Sequence, residues 1–140
     1  MEVVTYQIPI YPYQIDFMRH VSNIAYIQWM EIGRCLLLDE IGMSVATIAK
    51  QGFGPVLVET QISYKMPLHL GDTVTGKIWI SELNNVSAWM EFEFAKQDGL
   101  VAATGRQRGL FVDLETNRPR RLSPAQRLLF EPFVEVSPRN

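Results

Sequence analysis

A single aspartate lies ahead of a long apolar segment in the first third of the chain. Asp16 is followed by His20, Ser22 and Asn23, and then by a segment that is apolar on most of its helical circumference and ends at Gly42. A serine or asparagine can cap a helix by accepting a backbone N–H, and a glycine can end it. The segment therefore predicts a buried helix whose positive end faces the aspartate. A carboxylate in that place could attack a carbonyl group that the helix polarises.

The same residues also have ordinary structural interpretations. Asp16 is a common turn or capping residue, and a histidine such as His20 often serves only as a structural side chain near a helix start. Glu31 and Arg34 are three residues apart on the predicted helix, which favours a structural ion pair over a catalytic role. Cys35 is the single cysteine, and its leucine neighbours indicate an inert core residue.

Length and composition indicate one ordinary globular domain. The 140 residues can bury a sizeable core, and their 47% hydrophobic and 20% charged content argues against disorder. A formal net charge of −2 provides no basic field for nucleic acid. The chain has no apolar run of the roughly 18 residues that a membrane span needs, and its first residues are unlike a signal peptide. We therefore expect a cytoplasmic protein with no disulfide framework, no metal site and no cofactor.

The hydrophobic pattern predicts the element order β-α-β-β-β-β. Alternation and turn signals predict five strands, over residues 3–11, 55–66, 73–83, 86–96 and 100–114. The long helix follows the first strand and ends near Ile41, and residues 43–51 fit a short helical turn. Ser123-Pro124 opens a brief helix that ends near Phe130, and we expect the tail, residues 131–140, to be frayed.

This order predicts an α+β fold in which an antiparallel sheet wraps around one long central helix. Residues 1–140 form a single domain in this interpretation. Four aromatic residues are candidates for the opposite face of the sheet: Trp79, Trp89, Phe92 and Phe94. Such a face needs a cover, and a partner subunit is the simplest one. We therefore expect a homodimer or a homotetramer.

Several short stretches occur in a characteristic order and spacing: residues 16–26 (DFMRHVSNIAY), 26–34 (YIQWMEIGR) and 62–68 (ISYKMPL), then Gly71-Asp72. Together with the element order they resemble the hotdog fold, and specifically the 4-hydroxybenzoyl-CoA thioesterase-like family, over about residues 5–119. The chain also looks like the plant and cyanobacterial acyl-lipid thioesterases, which act on acyl groups carried by acyl carrier protein. The resemblance implies a thioesterase that hydrolyses an acyl-CoA or acyl-carrier-protein thioester to a free acid and a thiol.

The resemblance also implies roles for residues near the predicted helix start. Asp16 would be the nucleophile or the general base, and the backbone N–H at Asn23 would donate to the oxyanion, in an active site between subunits. Some relatives have a histidine at the position of Asn23. The asparagine here cannot act as a base, which leaves a positioning or hydrogen-bonding role. Many relatives have glycine where this chain has Arg19, so the loop is expected to be less pliable.

Seven further side chains are candidates for substrate contacts: His20, Tyr26, Glu59, Lys65, His69, Arg106 and Arg108. The lysine, His69 and the two arginines could hold the phosphates of CoA or an acidic carrier protein. Arg106 and Arg108 share one face of the last strand because they are two residues apart. A solvated face is the competing interpretation. Tyr26 could be core or acyl-pocket wall, and Glu59 could line the site or face water.

Two other functions and the identity of the acyl group remain open. A hotdog hydratase or dehydratase would pair an aspartate with a histidine and an Asn-Pro segment that this chain lacks. A non-catalytic acyl-thioester-binding domain would bind without turnover. The acyl group could be aliphatic or aromatic. The 1,4-dihydroxy-2-naphthoyl-CoA thioesterases share the resembled fold, but their Gly-Val-Val-Tyr type segment differs from Arg19-His20-Val21-Ser22 here.

Overall fold

The fold is a five-stranded antiparallel sheet with one long helix packed on one of its faces. The computed structural model describes residues 1–136. The strands are β1 (Val4–Ile8), β2 (Phe53–Tyr64), β3 (Val74–Leu83), β4 (Ser87–Lys96) and β5 (Val101–Asp113). The helices are α1 (Asn23–Ile41), α2 (Val45–Lys50) and α3 (Pro124–Phe130), and two single 3-10 turns cover Pro12–Gln14 and Glu131–Phe133. Of the helices within residues 1–136, none has the length and apolar character to cross a membrane.

The strands lie in the order β1-β3-β4-β5-β2, and every neighbouring pair is antiparallel. Strands β3, β4 and β5 follow one another as a meander, while β2 pairs with the far side of β5. The two edges of the sheet are therefore β1 and β2. This arrangement confirms the predicted β-α-β-β-β-β order and the single layer wrapped on one helix.

Local sequence signals set both ends of α1. Ser22 has an extended backbone, and its Oγ accepts the Ile24 N–H at 3.3 Å, so Ser22 rather than Asn23 is the N-cap. Gly42 ends the helix in the left-handed conformation (φ 86°), which glycine adopts without a steric cost. Its N–H donates to the carbonyl oxygens of Leu38 and Asp39. The helix start beside Asp16 is therefore fixed by capping chemistry that was readable in the sequence.

The helix is less buried than its composition predicts. One face packs on the sheet through eight buried residues: Ala25, Tyr26, Trp29, Met30, Gly33, Leu37, Leu38 and Ile41. On the other side, Ile24 is 69% exposed, Ile27 45% and Ile32 48%, and Cys35 is only half-buried. The expectations of a fully buried helix and of a core cysteine are therefore wrong for the single chain. A sheet covers only one face of a helix. The apolar pattern of α1 does not show whether its other face is covered by the same chain or by a partner.

The aromatic residues of β3 and β4 divide between the two faces of the sheet. Phe92 and Phe94 are 1% and 0% exposed, and the Phe94 ring lies 5.7 Å from that of Trp29 on α1. They belong to the helix-facing core, so their predicted place on the opposite face is wrong. Trp79 and Trp89 are half-buried and do lie on that opposite face. Strand alternation explains the division, because Trp89 and Phe92 are an odd number of residues apart.

The C-terminal tail follows the edge of the sheet for several residues. Phe133 is 4% exposed, and Val134 forms a parallel bridge with Ile80 of β3. The Glu135 N–H donates to the Ile80 carbonyl at 2.7 Å, and the Glu2 N–H donates to the Pro132 carbonyl at 2.7 Å. The expectation of fraying is therefore wrong for residues 131–135. The same expectation for residues 137–140 lies outside the described part of the chain.

Candidate active site

The side chain of Asp16 organises the loop that precedes α1. Its Oδ1 accepts the backbone N–H groups of Met18 at 2.9 Å and His20 at 3.2 Å. The backbone closes the same turn, because the Asp16 N–H donates to the His20 carbonyl at 2.8 Å. Within residues 1–136, these side-chain bonds all fall on Oδ1, and Oδ2 is left without one. The turn-forming interpretation of Asp16 is thus correct, and it is compatible with chemistry at the second oxygen.

Arg19 holds the backbone of this loop in an unusual conformation. Its φ of 65° lies in the left-handed region, and its N–H donates to the Asp16 carbonyl at 3.0 Å. A residue with a Cβ pays about 1–2 kcal/mol to adopt this conformation. Glycine would adopt this conformation without a steric cost, whereas here an arginine adopts it.

The first backbone N–H groups of α1 point out of the helix beside this loop. The Ser22 N–H is bonded to the Gln14 carbonyl at 2.7 Å, and the Val21 N–H to the Leu68 carbonyl at 2.8 Å, which fixes the entry into the helix. Asn23 is the first helical residue. Among the residues that the structure describes, none accepts the Asn23 N–H. This donor remains available at the positive end of the helix.

A cleft of about 290 Å³ lies between this loop, the start of α1 and the end of β2. Nine residues line it: Asp16, His20, Val21, Asn23, Tyr26, Tyr64, Lys65, Met66 and Pro67. The cleft therefore brings together five of the residues singled out in the sequence, which are Asp16, His20, Asn23, Tyr26 and Lys65. Tyr64 was missed, although the stretch that contains it was noted, because only the fold shows that β2 ends beside α1.

Two tyrosines form one wall of the cleft. The rings of Tyr26 and Tyr64 are 5.1 Å apart and meet edge to face. Burial, together with the neighbouring Tyr64, raises the pKa of Tyr26 to about 12, and burial also raises the pKa of Tyr64. Both hydroxyls stay protonated near neutral pH. They can donate a hydrogen bond to a substrate, but they are poor candidates for a base.

A second histidine supports the histidine of the cleft. The His20 and His69 rings meet edge to face with centroids 5.2 Å apart. The backbone N–H of His69 donates to Asp72 Oδ2 at 2.8 Å, and Gln97 donates to Asp72 Oδ1 at 3.0 Å. The Gln97 bond, followed by the His69 backbone bond, lowers the pKa of Asp72 below its usual range. His69 is therefore next to the cleft rather than in its lining, at the end of a hydrogen-bonded group.

Three predicted substrate contacts lie elsewhere in the chain. Glu59, Arg106 and Arg108 lie on the face of the sheet that α1 does not cover. The Arg106 guanidinium lies 4.0 Å from the Trp89 ring centre. Its Nε is 3.4 Å from the Glu91 carboxylate, which is close enough for an ion pair, but the Nε–H makes no hydrogen bond within the described residues. Within one chain these side chains are separated from Asp16 by the sheet. The prediction that both arginines share one strand face is confirmed.

No metal-binding group accompanies the cleft in the described chain. Within residues 1–136, no three histidine, cysteine, aspartate or glutamate side chains are grouped closely enough to hold a metal ion. The chemical groups that the cleft does offer are a carboxylate oxygen, a free backbone N–H, an imidazole, an ammonium group and two phenol hydroxyls. Such a set suits attack on a carbonyl group with stabilisation of the resulting negative oxygen.

Known proteins match both the sequence and the fold of this chain. A family described as the thioesterase-like superfamily matches residues 10–130. YneP of Bacillus subtilis, provisionally named as an acyl-CoA thioesterase, is 29% identical over 106 residues, which are 76% of this chain and 77% of that protein. The acyl-acyl carrier protein thioesterase ATL3 of Arabidopsis thaliana is 25% identical over 126 residues, 87% of this chain and 64% of that protein.

A solved structure matches almost the whole fold. The DHNA-CoA thioesterase of Staphylococcus aureus superposes with a TM-score of 0.87 over 94% of this chain and 91% of that chain, at 21% identity. At this level of identity the likeness concerns the fold alone. The predicted hotdog architecture, with its sheet wrapped around a central helix, is thereby confirmed.

Proposed function

Because this chain belongs to the thioesterase-like superfamily, we propose that it hydrolyses an acyl thioester, carried by CoA or by acyl carrier protein, to a free acid and a thiol. The sequence resemblance to that family is thus confirmed, and the reaction is our proposal. Its main support is one geometric observation: Asp16 and the first residue of α1, Asn23, line the same cleft. The named activities of YneP and ATL3 agree with this reaction.

In the proposed reaction, two hydrogen bonds to Oδ1 orient the Asp16 carboxylate. The N–H groups of Met18 and His20 hold Oδ1 in place. Oδ2 either attacks the thioester carbon or removes a proton from a water that attacks it. Direct attack forms a mixed anhydride and releases the thiolate, and water then cleaves the anhydride and restores the carboxylate. Attack by water gives the acid and the thiol in one step.

The Asn23 N–H is our candidate donor to the negative oxygen that develops on the thioester. It is free of acceptors in the described chain and sits at the positive end of a 19-residue helix. A preorganised donor of this kind lowers the barrier by roughly 2.7–4 kcal/mol in measured cases. The thiolate leaves readily, so the site has little need of an acid for the leaving group. The lack of need for an acid is consistent with asparagine, rather than histidine, as the first residue of α1.

The remaining candidates divide by distance from the cleft. We propose that His20, Tyr26 and Lys65 contact the bound thioester, since all three line the cleft. His69 would act by supporting the His20 ring. Glu59, Arg106 and Arg108 would contact a substrate only if a partner subunit placed them beside its cleft. We accordingly propose a homodimer or a homotetramer.

A non-catalytic acyl-thioester-binding domain is the competing function. The observation in its favour is that Asp16 already has a structural role, because its Oδ1 closes the loop. Such a domain would use the cleft for binding, and the free Oδ2 would have no part in chemistry.

Thiol release from acyl-CoA substrates, followed with a thiol reagent, tests the proposal. Asp16→Asn keeps the oxygen that accepts both N–H groups but removes the charge, so we expect a loss of about 100-fold or more in kcat/KM. Asp98→Asn is the matched control, because Asp98 Oδ1 also accepts an N–H two residues ahead, from Leu100 at 3.0 Å, in a different loop. Its activity should stay within about twofold of wild type. Full activity in Asp16→Asn would refute the mechanism, and binding without release by the wild type would support the competing function.

A further inference from the structure

A second space, partly open to solvent, lies further along α1, between that helix and the sheet. The cavity has a volume of about 200 Å³. Its walls are mainly apolar and come from the second half of α1, the inner faces of β2, β4 and β5, and α3; they include Leu37, Leu38, Leu57, Ala88, Gly109 and Phe130. Gly109 leaves room there because it has no side chain. The cavity is distinct from the cleft at Asp16, since the two share no lining residue.

One face of α1 connects the cleft to this cavity. Asn23, Ile27, Glu31, Arg34 and Leu38 follow one another at spacings of three or four residues, so they form one continuous stripe. Asn23 belongs to the cleft, and the last three belong to the cavity lining. At 1.5 Å per residue, the cavity begins about 12 Å from Asn23 and ends about 22 Å from it.

Strand β2 runs alongside the same path. Tyr64 lines the cleft at one end of the strand, and Leu57 lines the cavity towards the other end. Between them Ile62 is half-buried, and on the helix side Ile27 is 45% exposed. The path between the two spaces therefore has apolar side chains on both walls, left uncovered by the chain itself.

The charges at the entrance to the cavity are already paired. The Arg34 guanidinium is bonded to the Glu31 carboxylate and donates to Gln107 Oε1 at 2.6 Å. The buried Gln107 in turn donates to Thr60 Oγ1 at 3.2 Å. An apolar group that passes this point thus meets no unpaired charge, and the carbon stem of an arginine side chain is itself apolar.

From these observations we infer that the cavity receives the far end of a long aliphatic acyl chain whose thioester carbonyl lies at Asn23. This inference rests on the proposed function and names its substrate class. An extended chain advances about 1.2 Å per bond, since the three backbone bonds of an extended residue span about 3.3–3.6 Å. A chain of about ten carbons reaches the near wall, and one of about sixteen approaches the far wall. An aromatic acid such as a benzoyl group ends well short of the cavity.

A chain-length series tests the inference directly. We would measure kcat/KM for acetyl-, octanoyl-, dodecanoyl-, palmitoyl- and benzoyl-CoA. Because each methylene that enters an apolar cavity strengthens binding about fourfold, dodecanoyl-CoA should exceed octanoyl-CoA by at least tenfold. Acetyl- and benzoyl-CoA should be the poorest substrates. A preference for either of those two would overturn the inference and leave the thioesterase proposal intact.

Filling the cavity should change the chain-length preference. Cys35 is half-buried and lines the cavity, so Cys35→Phe should lower the ratio of dodecanoyl to octanoyl kcat/KM by at least tenfold. Leu57→Phe adds bulk from the opposite wall and serves if the first variant does not fold. Ala49→Phe adds the same ring to the exposed surface of α2, outside the lining, and should leave the ratio unchanged. Equal losses for all chain lengths in both cavity variants would refute the inference.

A binding measurement separates this inference from the proposed reaction. If the wild-type protein releases no thiol from any of these substrates, the proposed function fails. Calorimetric titration with dodecanoyl-CoA then still tests the cavity. Binding that weakens at least tenfold in Cys35→Phe, relative to Ala49→Phe, supports the inference, and unchanged or undetectable binding overturns it.

Discussion

At Arg19 the loop before α1 adopts a backbone conformation that is energetically unfavourable for an arginine. Its φ is 65°, whereas a glycine would adopt this conformation freely. The left-handed conformation costs about 1–2 kcal/mol, and glycine loses about 0.5–1 kcal/mol through the greater freedom of the unfolded chain. We therefore expect Arg19→Gly to raise the free energy of unfolding by about 0.5 kcal/mol, measured by urea denaturation.

Arg19→Ala separates the backbone effect from the loss of charge. Alanine retains a Cβ and so keeps the strain while it removes the guanidinium. We expect no gain in stability from this variant. An equal gain from alanine and glycine would show that the charge, and not the conformation, is what costs stability at this position.

The residues of the cleft were predictable to the extent that they are close in sequence. Asp16, His20 and Asn23 fall within eight residues before and at a helix start, so one short motif brings them together. The contribution of Tyr64 depends on where β2 ends relative to α1, which is a long-range property. The same limit applies to Arg106, because the spacing of a strand shows which residues share a face but not which face the helix covers.

Among the elements, α1 and the sheet pack tightly against each other at Gly33. A Cβ built on Gly33 would lie 2.5 Å from Tyr6 Oη and 2.9 Å from Tyr6 Cζ. Tyr6 cannot easily move, because it is 7% exposed and its hydroxyl donates to the Trp29 carbonyl at 2.8 Å. We expect Gly33→Ala to lower the free energy of unfolding by about 1–3 kcal/mol in urea denaturation, through overpacking.

Gly109 provides the matched control for this substitution. A Cβ on Gly109 would meet only Met90 Cε, at 3.5 Å, which is an ordinary contact. Gly109→Ala should therefore change stability by less than about 0.5 kcal/mol. Similar losses in both variants would mean that the cost arises from replacing glycine in general and not from contact with Tyr6.

The sequence predicts whether a segment is a helix or a strand better than it predicts which segments pack or pair with each other. Alternation and turns such as Gln97-Asp98-Gly99 identified each strand, because they depend on adjacent residues. The pairing of β2 with β5 joins segments about fifty residues apart, and no local signal specifies it. Gly33 is a similar case. Within a helix, a glycine only weakens the local preference for helical structure, and it is needed here because Tyr6 of β1 occupies the space where a side chain would lie.

For the molecule as a whole, buried tyrosines predict a loss of stability in alkali. Burial raises the pKa of Tyr26 to about 12, and it also raises that of Tyr6, whereas an unfolded tyrosine has a pKa of about 10. Below pH 10 both states are protonated, and stability does not depend on these groups. As the pH rises from about 10 to 12, the unfolded chain releases protons that the folded chain retains, so the free energy of unfolding falls.

The alkaline loss should shrink when Tyr26 is replaced. We expect Tyr26→Phe to reduce the fall in stability by roughly 1–2 kcal/mol across that pH range, measured by urea denaturation at a series of pH values. Tyr13→Phe is the control, because Tyr13 is 79% exposed and should have no such effect. Parallel stability profiles for Tyr26→Phe and wild type would contradict this account.

The uncovered surface of α1 and β2 predicts self-association. Ile24 and Ile27 on the helix, and Val56 and Val58 on the edge strand, are all at least 44% exposed in the single chain. Exposed apolar residues on an unpaired edge strand and on the neighbouring helix are typical of an interface. We expect sedimentation equilibrium at micromolar concentration to show at least a dimer. Val58→Lys should raise the dissociation constant at least tenfold, because a lysine on a strand edge opposes pairing.

A second lysine variant tests whether this effect is local. Leu128 is 64% exposed on α3 and is not part of the edge strand, so Leu128→Lys should leave strand pairing through β2 unchanged. A wild-type protein that sediments as a monomer would contradict the proposal of a subunit partner, and with it any contribution of Arg106 and Arg108 to a neighbour's cleft.

The two outer strands of the sheet differ in how readily they can pair with another copy. Strand β1 covers β3 from Val74 to Ile78, and Val134 continues along the same side at Ile80. Within residues 1–136, the two outer strands of the sheet are unequal, because β1 has five residues and β2 has twelve. A short outer strand offers few backbone groups to a neighbour, and a long one offers many. If two copies join through β2, the shorter β1 is the outer strand at both ends of the combined sheet, which makes further strand-to-strand growth unfavourable.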